Sequence, residues 1–114
     1  MDQPFSLEYY DRIFGRRGPE FWELVSALSE ELEKYAQDLG QALRSRDRES
    51  FTRLRHTYRP VVLNLDLTNL RALETEIAQA FATEEPAEML AALASQFHDE
   101  AQDIARVLSQ IRFG

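Results

Sequence analysis

Apolar residues recur at helical spacing through almost every segment of this chain. The longest stripe is Trp22, Val25, Leu28, Leu32, Tyr35, Leu39 and Leu43, whose three- and four-residue intervals share one helix face. Pro19 suits the first turn of that helix, which the pattern carries to Leu43 or Arg44. A shorter helix is predicted before it, starting after Ser6, whose hydroxyl can cap it, and ending before Gly15. The intervening "GRRG" reads as a turn.

After "RSRD", Asp47 is placed to cap a third helix carrying Phe51, Leu54, Tyr58, Val61, Val62 and Leu65. Asp66 or Thr68 can cap a fourth, with Leu70, Leu73, Ile77 and Phe81. "ATEEP" breaks the chain, and Pro86 opens the last helix, which carries Leu90, Leu93, Phe97, Ile104, Leu108 and Ile111 and is closed by "RFG". No alternating strand pattern occurs, and no glycine falls between Gly40 and Gly114. The pattern predicts an all-α fold. We expect one domain over residues 1–114, an antiparallel up-down four-helix bundle with a short additional N-terminal helix. The stripes are broad and partly aromatic, which suits a bundle core better than a coiled-coil seam. Tyr9, Tyr10, Phe14, Phe21 and Trp22 cluster early and are expected to cap an open end of the bundle.

Composition narrows the function classes. Hydrophobic residues make up 44% of the 114 residues, enough for a core. A formal net charge of -7 argues against nonspecific binding to nucleic acid or anionic membranes. Cysteine is absent, which excludes disulfides and thiol chemistry. No apolar run approaches the roughly 18–20 residues that span a bilayer. The start, "MDQPFSLEYYDR", lacks the basic and apolar regions of a secretory signal, so the expected location is the cytoplasm without membrane insertion.

Candidate chemistry is sparse. There is no strand-linked glycine-rich phosphate loop, no H-E-x-x-H motif and no Glu-x-x-His pair, so neither a cofactor nor a metal is expected. The carboxylates of "SEELEK" and "ATEEPAE" read as solvated helix faces and termini. His98 reads as a boundary or surface residue.

That leaves "RHTYRPVVLNLDL". Residues advance about 100° each on a helix, which sets His56 nearly opposite the apolar stripe, exposed on a rigid support. Thr52, Arg59, Pro60 and Leu63 share or border its face, and Arg53 and Arg55 lie to either side. A neutral imidazole is a good nucleophile near neutral pH. It can accept a phosphoryl group from an acyl phosphate on a partner's aspartate, with guanidinium groups offsetting the phosphoryl charge. The partner would have to bring the metal. Pro60 lacks an amide hydrogen and clashes with the carbonyl four residues back, that of His56, so a break is predicted at the histidine.

Taken together, "GRRGPEFWELVSALSEEL", "DRESFTRLRHTYRPVVLNLDLTNLRALETEI" and the last helix resemble the histidine phosphotransfer (HPt) domains of bacterial phosphorelays over essentially the whole chain. The resemblance implies a short helix before a four-helix bundle, with His56 as phosphoacceptor. Arg59 stands where that family usually has lysine, and Asn64 and Leu65 match its asparagine-leucine pair. Leu70, Leu73 and Glu74 suit the opening of its next helix. The implied partner is a response-regulator receiver domain, with a hybrid sensor kinase as a second candidate. Arg55, Thr52, Pro60 and Leu63 would contact it, while Arg59 assists transfer electrostatically.

The chain departs from the family at Pro60, where glycine allows close approach of a receiver. It departs again at Val61 and Val62, which replace small residues, and at Asp66, which replaces a frequent glycine. A noncatalytic HPt-like domain, binding a receiver or kinase without transfer, is therefore the alternative expectation.

Overall fold

A computed structural model describes residues 4–111 as six helical segments; there is no strand among the described residues. They are α1 (Glu8–Phe14), α2 (Pro19–Arg44), α3 (Arg48–Thr57), α4 (Arg59–Asn64), α5 (Thr68–Ala82) and α6 (Ala87–Ile111). The expected closure of the last helix by "RFG" lies outside the described residues.

The fold is an all-α bundle built around the two longest helices. α2 packs along α6, α3 lies against α2, and α5 lies against α6. The ring closes between α3 and α5 through Phe51 and Phe81, whose centroids are 5.7 Å apart. Leu32, Leu39, Leu43, Ile77, Phe97, Ile104 and Leu108 are fully buried, so the predicted stripes do meet in one core. Ala36, Gly40, Ala94, Ala101 and Ala105 are also buried and let α2 and α6 approach closely. There the Ser29 hydroxyl donates to the Ala105 carbonyl at 2.9 Å.

Several local signals behave as predicted. Gly15 ends α1 at φ +74, in the left-handed region that glycine enters readily, whereas Leu7 and not Ser6 stands at its N-cap; Ser6 Oγ lies one residue earlier and accepts from the Glu8 amide at 3.3 Å. Arg17 clamps Asp11 with two hydrogen bonds of 2.9 and 3.0 Å, pinning the "GRRG" turn. Asp47 caps α3 by accepting from the Ser50 amide at 3.0 Å.

Others need correction. Phe21, not Trp22, is the fully buried aromatic at the start of α2; Trp22 is half-buried and packs edge-on against it. Neither Asp66 nor Thr68 caps α5 with its side chain. Asp66 instead takes φ +53 in the tight turn that ends α4, and Leu67 stands at the cap position. Pro86 sits one residue before α6, where its carbonyl accepts from Met89 and Leu90. The expected aromatic cap is split. Tyr10 is buried and Phe14 is partly buried in the core, while Tyr9 is exposed. Ser6 N–H donates to the Leu65 carbonyl at 2.7 Å, tying the N-terminal segment to the end of α4.

The predicted third helix is two helices. It breaks at Tyr58, midway between His56 and Pro60, and Pro60 lies in the first turn of α4, where a missing N–H goes unnoticed. The His56 carbonyl consequently has no amide four residues on. The Tyr58 amide still donates to Leu54 at 3.0 Å, and the Tyr58 carbonyl accepts from Val62 at 3.1 Å, so the break costs little backbone bonding.

Candidate functional site

The break at Tyr58 shapes one groove. Thr52 and Arg55 from α3 line it with His56; Arg59, Val62 and Leu63 enter from α4; Arg71 and Glu74 enter from α5. Its volume is about 420 Å³. Five of the six residues predicted from sequence (His56, Arg59, Arg55, Thr52 and Leu63) therefore meet in one place. Pro60 does not line the groove; it is exposed beside it, in the first turn of α4.

His56 is exposed, as its helical position predicts. The opposite side of the same segment is anchored. Leu54 and Tyr58 pack against the core, and the Tyr58 ring stacks on that of Tyr35 at 4.5 Å and 15°. Leu63 is 43% exposed, so an aliphatic side chain borders the polar groove.

Charge separates this region from the rest of the molecule. α3 and α4 carry Arg48, Arg53, Arg55 and Arg59 against one acid, Glu49, on a chain of net charge -7. Among the described residues, no carboxylate pairs with Arg48, Arg53, Arg59 or Arg71. Arg55 pairs with Glu74, its Nε lying 3.7 Å from Oε1.

Glu74 was not legible as a site residue from the family resemblance, which gave it only a place at the start of a helix. It is only 5% exposed. Its Oε2 accepts a hydrogen bond from the hydroxyl of Tyr35, which is fully buried on α2. Burial pushes the Glu74 carboxyl above the usual carboxylate range, although the Tyr35 hydroxyl and then Arg55, Arg71 and Arg59 pull the other way. Burial and the adjacent carboxylate push the Tyr35 hydroxyl far up, so Tyr35 acts as a fixed donor. The result is a rigid polar stack, Tyr35 to Glu74 to Arg55, running from the core to the groove. Arg71 and Tyr35 were also missed. Tyr35 looks like any core aromatic, and Arg71 becomes part of the site only when α5 folds beside α3.

The arrangement can hold an anion against an exposed imidazole. Among the described residues it offers no cluster of three His, Cys, Asp or Glu side chains to bind a metal. Likewise, no described helix is long and apolar enough to cross a membrane. His98 lies exposed on α6, its Nδ1 3.7 Å from Asp99 Oδ1. It borders a larger hollow of about 530 Å³ between α2 and α6, shared with Glu33, Arg44 and Asp99. That hollow mixes charges and converges on no single chemistry.

No family model, no curated protein and no solved structure matches the chain.

Proposed function

We propose that the chain is a phosphorelay module of the HPt type, an antiparallel up-down four-helix bundle with a short leading helix. It docks a response-regulator receiver domain on the His56 groove and exchanges a phosphoryl group with it. The observation that carries this reading is the exposed His56 within an arginine-lined groove, on an otherwise acidic molecule. The left-handed Asp66 adds support, because the family the sequence resembles often has glycine there and glycine is the residue that conformation favours.

In the transfer step, an imidazole nitrogen of His56 attacks the phosphorus of the partner's aspartyl phosphate. The N–P bond forms as the P–O bond to the aspartate breaks. The aspartate leaves as a carboxylate, and the proton on the other ring nitrogen is released to solvent. Arg59 offsets charge on the phosphoryl oxygens and steers the acidic receiver site toward the groove. The metal and the activated aspartate belong to the partner.

A second reading is favoured by one observation, the break at Tyr58. It re-aims the backbone two residues from His56, and small displacements of a nucleophile are costly to in-line transfer. On that reading the groove binds a receiver or kinase without exchanging phosphate.

Incubation with a panel of phosphorylated receiver domains decides between them. Transfer predicts a label on the wild type that is acid-labile, base-stable and absent from His56→Gln. A receiver that binds but leaves no label establishes the noncatalytic reading, and Pro60→Gly should then restore some transfer. Label persisting in His56→Gln contradicts the assignment of His56.

A further inference from the structure

Transfer to His56 does not account for what lies behind it. Three arginines from three separate helices, Arg55, Arg59 and Arg71, line a single groove. Only Arg55 has an ion-pair partner among the described residues. That partner, Glu74, is held from below. One carboxylate oxygen takes the Tyr35 hydroxyl and the other faces Arg55. Glu74 therefore cannot follow Arg55 outward. Arg55 is about half-exposed on a long side chain, so it can turn from Glu74 to the groove without unpacking the core.

We propose that this groove is an oxyanion site for a tetrahedral dianion of the phosphoryl class, and that Glu74 sets its affinity by competing with the ligand for Arg55. The proposal rests on reading the His56 face as the phosphoryl-handling face, and it adds Arg71 and Glu74 to that face. Planar guanidinium forks match the oxygens of a tetrahedral anion. A ligand entering the groove meets Arg59 and Arg71 without carboxylate partners. It gains a third donor only by drawing Arg55 away from Glu74. A dianion attracts Arg55 strongly enough to do so; a carboxylate monoanion is a weaker rival to Glu74. The groove thus selects by ligand charge, and Glu74 keeps it from filling with ordinary monoanions.

The test is a titration of the full chain with inorganic phosphate at about pH 8, where the dianion dominates. Ionic strength is held constant with chloride, and the arginine Nε–Hε signals are followed by NMR. The expected result is saturable shifts confined to Arg55, Arg59 and Arg71, with acetate binding far more weakly. Arg71→Gln should weaken phosphate binding roughly tenfold, the scale of one charge-assisted contact. Glu74→Gln keeps an acceptor for Tyr35 and should tighten binding several-fold. If that variant does not fold, Arg55→Gln serves instead and must weaken binding less than Arg71→Gln, because Arg55 begins already paired. Arg106→Gln on α6 should change nothing.

A phosphoserine peptide forms a second arm. Tighter binding than free phosphate points to a protein-borne ligand and the reverse to the free ion, and either order supports the site. Non-saturable shifts spread over all exposed arginines overturn the site. Unchanged or weakened binding in Glu74→Gln overturns the competition. No receiver is needed here, so phosphate binding without receiver binding would defeat the phosphorelay reading alone, and receiver binding without a phosphate site would defeat this proposal alone.

Discussion

The α2–α6 pair and the α3–α5 side of the bundle solve the same packing problem with different chemistry. Between α2 and α6 the buried contacts are almost wholly apolar, with small residues allowing close approach and one hydroxyl satisfied by a carbonyl. The outer faces of both helices are acidic. α2 carries six carboxylates against Lys34 and Arg44, and α6 carries four against Arg106. On the other side, Arg55 of a broken helix meets the buried carboxylate of Glu74 on α5, which Tyr35 of α2 holds from behind. Its surface is basic. The apolar contacts stabilise without specifying a ligand. The polar ones give up some stability and leave cations facing solvent beside a histidine. The lesson is that the two sides of one small bundle can differ in chemistry, one closing the core with apolar contacts and the other presenting cations to solvent.

The largest effect that sharpens this contrast is loss of core volume. Phe97→Ala removes a fully buried ring that packs edge-on against Tyr35 at 5.0 Å. It should cost about 3–5 kcal/mol of unfolding free energy in a urea titration. Leu63→Ala, on the groove rim, should stay within about 0.5 kcal/mol by the same measurement while weakening receiver binding. Equal costs at the two positions would erase the proposed division.

Next is the polar stack. Tyr35→Phe removes the hydroxyl and leaves Glu74 buried without its donor. This should cost about 1–3 kcal/mol, more than the loss of a single hydrogen bond in water would suggest. A neutral outcome in thermal denaturation would mean that Arg55 alone satisfies Glu74.

Much of this was legible in the sequence, and the exceptions are physical. The helices follow from periodicity, and the Asp47 cap and Gly15 stop follow from side-chain and backbone chemistry. Thr52, Arg59, Pro60 and Leu63 could be placed on or beside the face of His56, with Arg55 to one side, because a helix fixes their angles locally. Glu74 and Arg71 could not join them from local pattern, since their place in the groove depends on how α5 docks. One signal for Glu74 was nevertheless present. It falls four residues after Leu70 and three before Ile77, on the buried stripe of its helix, where an acid must find a buried donor. The break was predicted from Pro60, but its location at Tyr58 was not. There the tyrosine ring finds Tyr35, and α4 can begin with the proline in its first turn.

A smaller effect separates the faces by pH. Burial raises the Glu74 carboxyl above its unfolded value, so the folded chain holds that proton more tightly than the unfolded one. The resulting stability is fully present below the unfolded pKa and is lost as pH rises through the folded one. Glu74→Gln lacks this dependence. Its stability relative to wild type should therefore increase from acidic pH toward neutrality, as read from urea midpoints across that range. The half-exposed Arg55 pair offsets little of this. A relative stability that falls with rising pH would reverse the sign of our assignment.

The central claim is that the arginine groove, and not the acidic α2–α6 surface, meets the partner. The most direct measurement is a map of amide chemical-shift changes on the labelled chain when a cognate receiver domain is added to saturation. We predict changes concentrated from Thr52 through Leu63 and around Arg71, with the exposed face of α6 near Ser95, His98 and Gln102 silent. Changes centred on that α6 face, with the groove unaffected, would contradict the account.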